Sequence, residues 1–312
     1  MCTLILSSIP FKAMGSPCEL KIYCRDKKQK DKLFKKLTSE INRLEEKYTR
    51  FKSSSVTSTI NNGAGHSQAI AIDHETAQLL HYADVLYQQS DGLFDITSGV
   101  LRRAWDFKSN KLPSPLQLDS LLPLIGWDKV IRDEYSIQLP IEGMEIDFGG
   151  FVKEYTADVI ATLCLDNGIS HGLVNLGGDI RIIGPHPDDS PWRVGIQHPR
   201  KPQNSIAVVD MYAGGIATSG DYERYMIIDG IRYCHLLSPF TGKSIQPEFA
   251  SISVISDTCL LAGSLSTTTM LKSKGQTQWL EETELPHLKV DQTMKVSGSL
   301  KINFSDLPQT NL

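Results

Sequence analysis

Strand and helix signals that follow one another without a regular strand–helix–strand rhythm predict an α+β fold. Two further observations carry that reading. No repeat, linker or low-complexity tract divides the 312 residues, which predicts one domain over residues 1–312. The stretch 146–184, IDFGGFVKEYTADVIATLCLDNGISHGLVNLGGDIRIIG, reads as a strand ending in Asp147, a Gly149-Gly150 turn, a helix and a glycine-punctuated pair of strands. The rest of the chain is organised around it.

In chain order, residues 18–23 alternate as a strand, preceded by the small turn Met14-Gly15-Ser16. Leu33, Leu37, Ile41, Leu44 and Tyr48 recur every three or four residues, which predicts an amphipathic helix whose solvated face carries the basic run 27–36. The hydroxyl-rich segment 53–61 reads as an exposed loop and 69–73 as a strand. Asp73 then caps a helix through Ser90, with Leu79, Leu80, Ala83, Leu86 and Tyr87 inward and Gly92 at its end. Residues 91–107 fit neither period. Their mixture of Phe94, Trp105 and Phe107 with Asp95, Thr97 and Ser98 suits either a pocket for a planar ligand or core packing. Residues 114–127 form a short helix and loop punctuated by Pro113, Pro115 and Pro123.

The central helix is expected to begin near Phe151, with Val152, Tyr155, Val159 and Leu163 on one face and Gly168 ending it. Glycines let a ligand approach the backbone, and the free N–H groups of a helix start attract anions. Gly149-Gly150 beside Lys153 is therefore either a phosphate cradle or an ordinary tight turn. Gly177-Gly178 sets Asp179 at a second loop tip. Residues 193–197 and 206–212 read as strands. GGIATSGDYERY, 214–225, reads as a glycine bend carrying Thr218, Ser219 and Asp221, and His235 stands beside a Pro-Phe-Thr-Gly turn. Residues 251–255 form a buried strand, followed by a helix over 259–271 with the small residues Ala262-Gly263-Ser264 near its start.

A net charge of -4 and a pI near 6.1, with no aromatic residues interleaved in a basic stripe, argue against a nucleic-acid partner. Six cysteines lie scattered without CxxC or zinc-finger spacing, the pattern of reduced thiols. The opening MCTLILSSIPFK lacks a basic start and a long apolar run, and no run approaches the ~20 residues of a membrane helix, so a soluble, cytoplasmic protein without membrane insertion is expected.

Seven turns resemble the ApbE family of FAD:protein FMN transferases, in that family's order: MGS at Met14, SVTSTIN at Ser55, GLFDITSG at Gly92, IDFGGFVKEYTAD at Ile146, LVNLGGDIRIIG at Leu173, ATSGDYERY at Ala217 and HLLSPFTG at His235. The resemblance implies an α+β fold of the tunnelling type (T-fold), with FAD in a cleft between two halves. It also implies a divalent metal such as Mg2+, cleavage of the FAD pyrophosphate, and transfer of FMN to a Thr or Ser hydroxyl of a target flavoprotein with release of AMP. Carried over by position, Met14, Phe51, Leu93, Phe94, Asp95, Asp147, Lys153 and Leu237 correspond to flavin-nucleotide contacts. The Gly150 carbonyl and Thr267 correspond to metal ligands, and His235 and Ser219 to residues beside the pyrophosphate, with His235 taking the acceptor's proton.

The sequence departs from the family pattern where a metal would be held. Family members carry an Ala-Asp pair near the start of the last helix, and Gly263 stands at the Asp position here, with Ser266 at a second position where a carboxylate sometimes appears. Asp257, Asp179 or Glu154, which follows Lys153 where Gly is usual, are the neighbours able to return the charge. Small residues around position 263 suggest that an Asp would fit there. Phe240 replaces the family's usual polar or basic residue in the Pro-x-Thr-Gly turn. The alternative to a transferase is a protein of the same fold that holds FAD without turning it over.

Overall fold

The computed structural model describes residues 4–272 and 275–302. It opens with a hairpin of β1 (Ile5–Ala13) and β2 (Ser16–Cys24), turned through Met14 and Gly15 at φ 51° and 72°, the positive values that a two-residue hairpin turn matching strand twist requires. Helix α1 (Lys27–Tyr48) is capped by Asp26 and buries the five expected apolar residues. Helix α2 (Val56–Asn62) stands where a loop was expected. The hydroxyls that make this segment look exposed are spent locally: Ser55 accepts from Ser58 N, Thr57 donates to Tyr48 O and Thr59 donates to Ser55 O.

β3 keeps only Ile70–Ala71 of its expected strand, and α3 (His74–Gln89) follows with the Asp73 cap in place. Residues Ile96–Arg103 form 3-10 turns, then come α4 (Pro115–Leu121), β4 (Ile131–Arg132) and β5 (Ser136–Gln138), which joins β3 and β4 in a small sheet. No strand ends at Asp147. Instead Asp147 caps a 3-10 turn, Phe148–Gly150, that leads into α5 (Val152–Asp166).

The second half supplies β6 (Gly172–Leu176), β7 (Asp179–Gly184), β8 (Trp192–His198), β9 (Lys201–Met211) and β10 (Gly215–Gly220). A hairpin of β11 (Tyr225–Ile228) and β12 (Ile231–Cys234), β13 (Phe249–Ser256), α6 (Cys259–Leu271), α7 (Trp279–Glu282), β14 (His287–Asp291) and β15 (Val296–Ser297) complete it. Eight strands make one antiparallel sheet in the order β1-β2-β6-β7-β10-β13-β14-β15. Period-two alternation divides its side chains. Leu20, Ile22, Val174, Ile252 and Val254 face the helices, while Ile180, Ile182, Ile216, Leu288 and Val290 meet the β8–β9 ribbon on the other side. Residues 215–220, expected as a bend, are a central strand, because Gly215–Gly220 pairs along its whole length with β13.

Five cysteines, Cys18, Cys24, Cys164, Cys234 and Cys259, are free thiols and buried, whereas Cys2 lies outside the described residues. Among the described residues no helix is long and apolar enough to cross a membrane.

Candidate active site

Two glycine turns and a lysine meet at one end of the sheet. Because β2 pairs with β6, the Met14-Gly15-Ser16 turn lies against Gly177-Gly178. Gly177 N donates to Pro17 O at 3.1 Å, and a Cβ on Gly177 would lie 2.8 Å from Ser16 Cβ, so this approach requires glycine. Lys153, in the first turn of α5, reaches across to form an ion pair with Asp179, whose other oxygen accepts from Thr218 N at 3.1 Å. Met14, Lys153 and Asp179 thus stand together, near the start of α5, where a helix favours an anion.

A second group surrounds Asp147. Its carboxylate accepts from Gly149 N at 2.9 Å and pairs with Arg50, its own N–H donates to Ile96 O at 2.9 Å, and Gly99 leaves the room that its Cβ occupies. Arg50 is the partner that sequence reasoning missed, although it adjoins the aromatic Phe51. Phe51 is 84% exposed with the Arg50 guanidinium 4.8 Å from its ring centre. Both border an open cleft of about 610 Å³ whose lining also includes Phe107, Arg224 and Tyr225. The 91–107 mixture is thereby resolved: Phe94 is core, while Trp105, itself buried, and the half-buried Phe107 both line the cleft.

Asp95 is buried and accepts from Thr97 N, Thr97 Oγ1 and Trp127 N at 2.7, 2.6 and 3.1 Å. Burial pushes its carboxyl above the ordinary carboxylate range. It holds the loop together, and the neighbouring Phe94 ring packs at Gly150, where a Cβ would come within 3.0 Å of it. Leu93 packs against the main core and Leu237 bridges Ser244 beside the smaller core under α4.

The third group is the seam between α5 and α6, which run antiparallel. Asp158 accepts from Cys259 N and Leu260 N at 2.9 Å each, capping α6, and pairs with Arg181 at 3.1 Å. One turn earlier on α5, Glu154 faces Gly263, one turn later on α6. A Cβ at position 263 would lie 2.6 Å from Glu154 Cγ, so the expectation that an Asp fits at 263 is overturned: the space already holds a glutamate. Glu154 is 8% exposed, its Oε1 lies 3.4 Å from Lys153 Nζ, and its buried Oε2 has no hydrogen-bond partner. Further along α6, Ser219 shares hydrogen bonds of 2.9 Å with Ser266 and 2.7 Å with Thr267, and Ser266 donates to Gly263 O. Of the other carboxylates considered for this seam, Asp257 is exposed and Asp179 is engaged by Lys153. Among the described residues no three His, Cys, Asp or Glu side chains group as a metal cage.

His235 follows β12, with its N–H donating to Arg224 O at 2.9 Å and its buried Nδ1 unpartnered. Burial, helped by the nearby Arg224, lowers its pKa to about 4, so the ring is neutral near pH 7. Asp221, read from the sequence as part of the glycine bend, is held by Arg200 through two bonds of 2.6 and 2.8 Å and serves the scaffold. Phe240 is exposed and its ring approaches Gly92, joining the two turns in which they stand.

The sequence model of the ApbE family matches residues 14–290. The FAD:protein FMN transferase of Klebsiella pneumoniae strain 342 is 31% identical over 260 residues, covering 82% of this chain and 78% of that protein. The enzyme of the same name from Salmonella typhimurium LT2 is 29% identical over 272 residues, covering 83% and 77%. Among solved structures, the ApbE protein of Thermotoga maritima superimposes with a TM-score of 0.85 at 26% identity, covering 95% of this chain and 97% of that one. With the family match spanning most of its length and the fold agreeing over 95% of it, this chain belongs to the ApbE family.

Proposed function

We propose that residues 1–312 act as one FAD:protein FMN transferase domain, a cytoplasmic enzyme that moves FMN from FAD to a Thr or Ser hydroxyl of a target flavoprotein and releases AMP. The observation that carries this reading is the family match over residues 14–290, to relatives that bear that name. Its geometric support is the convergence of Met14, Lys153 and Asp179 at the paired glycine turns. Five buried free thiols accord with a reducing compartment.

In this reading Phe51 and Asp147, with Arg50, border the nucleotide cleft, while Leu93, Phe94, Asp95 and Leu237 shape its walls. Lys153 directs positive charge at the pyrophosphate from the start of α5. His235, neutral near pH 7, is in the protonation state that accepts a proton from the incoming hydroxyl. That hydroxyl oxygen bonds to the phosphorus of the FMN moiety, the bond from this phosphorus to the bridging oxygen breaks, and AMP departs with the electron pair.

A divalent ion such as Mg2+ would neutralise phosphate charge during this exchange. The residues present fit one. Thr267 and the Gly150 carbonyl are oxygen donors, and the orphaned Oε2 of Glu154 adds the only buried carboxylate oxygen without a hydrogen-bond partner among the described residues. The second reading, an FAD-binding protein without turnover, rests on Gly263, which has no carboxylate of its own.

The deciding experiment incubates the protein with FAD, MgCl2 and a flavoprotein acceptor fragment, then measures intact mass. A gain of one FMN on the fragment is expected. FAD binding with no mass gain would support the second reading and overturn the first.

A further inference from the structure

Glu154 and Gly263 are complementary across the helix seam in a way that neither residue explains alone. Asp158 sets the antiparallel register of α5 and α6 by taking the first N–H groups of α6. One turn along, that register brings Glu154 over Gly263, and the glutamate side chain fills the volume that any side chain at 263 would need. A carboxylate less than a tenth exposed, with one oxygen lacking any partner, is costly to keep unless a ligand completes it. The neighbouring hydroxyls can satisfy one another without using the lone pairs of Thr267. With Ser266 donating to Gly263 O, donation from Thr267 to Ser219 and from Ser219 to Ser266 gives every hydroxyl hydrogen an acceptor and leaves the lone pairs of Thr267 free. One further turn along α6 from Gly263 is Thr267, while Gly150 ends the 3-10 turn that precedes α5.

We propose that Glu154 is the carboxylate ligand of a divalent cation at this seam, so that the acid sits on α5 and reaches into the notch left by Gly263 instead of arising from α6. The proposal rests on the transferase reading for the identity of the remaining ligands, which are phosphate oxygens of FAD and water. Magnesium-like ions are held in this manner, by one or two carboxylates together with substrate phosphates. Lys153, 3.4 Å from Oε1, offsets part of the negative charge of Glu154 without occupying Oε2.

The test is Mn2+ affinity of the full chain saturated with FAD, followed by the paramagnetic resonance of free Mn2+, with flavin fluorescence and a thermal melt as controls. Glu154→Gln is expected to weaken Mn2+ binding by about one to two powers of ten, with folding and the FAD affinity measured without metal retained. Gly263→Asp alone should bring no gain, because Glu154 obstructs it. The exchange of both, Glu154→Gly with Gly263→Asp, should restore binding to within about threefold of the parent. Unchanged Mn2+ affinity in Glu154→Gln, tighter binding in Gly263→Asp alone, or no Mn2+ binding by the parent would each overturn the proposal. If FMN transfer persists while Glu154→Gln binds Mn2+ normally, the transferase reading stands and this one falls. If Mn2+ binding depends on Glu154 but no acceptor gains mass, the reverse holds.

Discussion

Asp158 and Glu154 stand one turn apart on the same face of α5, each beside a basic side chain, and they differ in how their oxygens are satisfied. At the Asp158 end both carboxylate oxygens are taken by backbone N–H groups of α6 and a guanidinium closes the group. At the Glu154 end one oxygen leans toward Lys153 and the other has nothing. Burial raises the pKa of Asp158 against the lowering effect of its two N–H bonds. A satisfied carboxylate holds two helices together, and an unsatisfied one beside it is stability given up for another purpose.

Truncation should separate the two ends most sharply. Asp158→Ala removes an N-terminal cap and leaves Arg181 without its partner, so urea unfolding is expected to show a loss of about 3 kcal/mol. Glu154→Gln, by contrast, should change stability by less than about 1 kcal/mol, since no hydrogen bond is broken. Equal losses at the two positions would erase the distinction and make Glu154 a structural residue.

The same reasoning extends to the buried unpartnered base. His235 has a folded pKa of about 4, below its unfolded 6.5, so the unfolded chain binds its proton more readily. Its contribution to stability is complete above pH 6.5 and is lost as pH falls through that window toward 4, by about 1–3 kcal/mol. Subtracting the stability curve of His235→Asn from that of the parent isolates this component, and a difference that stays flat between pH 6.5 and 4 would show that His235 is protonated freely in the folded state.

The smallest effect tests the notch itself. Gly263→Ala gains helix propensity but forces a Cβ within 2.6 Å of Glu154 Cγ, for a net destabilisation of about 1 kcal/mol. In a Glu154→Ala background the same change should become stabilising. Additive effects in the double-mutant cycle would mean that the two residues do not share the space.

Much of this was legible in the chain itself. The period of Leu33, Leu37, Ile41, Leu44 and Tyr48, the Asp73 cap, the buried run of β13 and the glycine turns are local patterns, each set by side-chain spacing or backbone freedom within a few residues. The seven motifs carried the family for the same reason, being short segments whose order survives in the sequence. Where reading failed, hydrogen-bond partners decided, some of them local and some distant in the chain. Residues 215–220 look like a bend because of their glycines, yet cross-strand bonds to β13 make them a central strand. Residues 53–61 look like a loop because of their hydroxyls, yet those groups are consumed in caps and back-bonds. Arg50 gave no signal because its partner Asp147 lies 97 residues away. Most of all, the sequence by itself determined that Gly263 lacks a carboxylate and that Glu154 has one. Only the packing of α5 on α6 put the second into the space of the first, because two helices share one volume, and which side chain fills it is a property of neither helix alone.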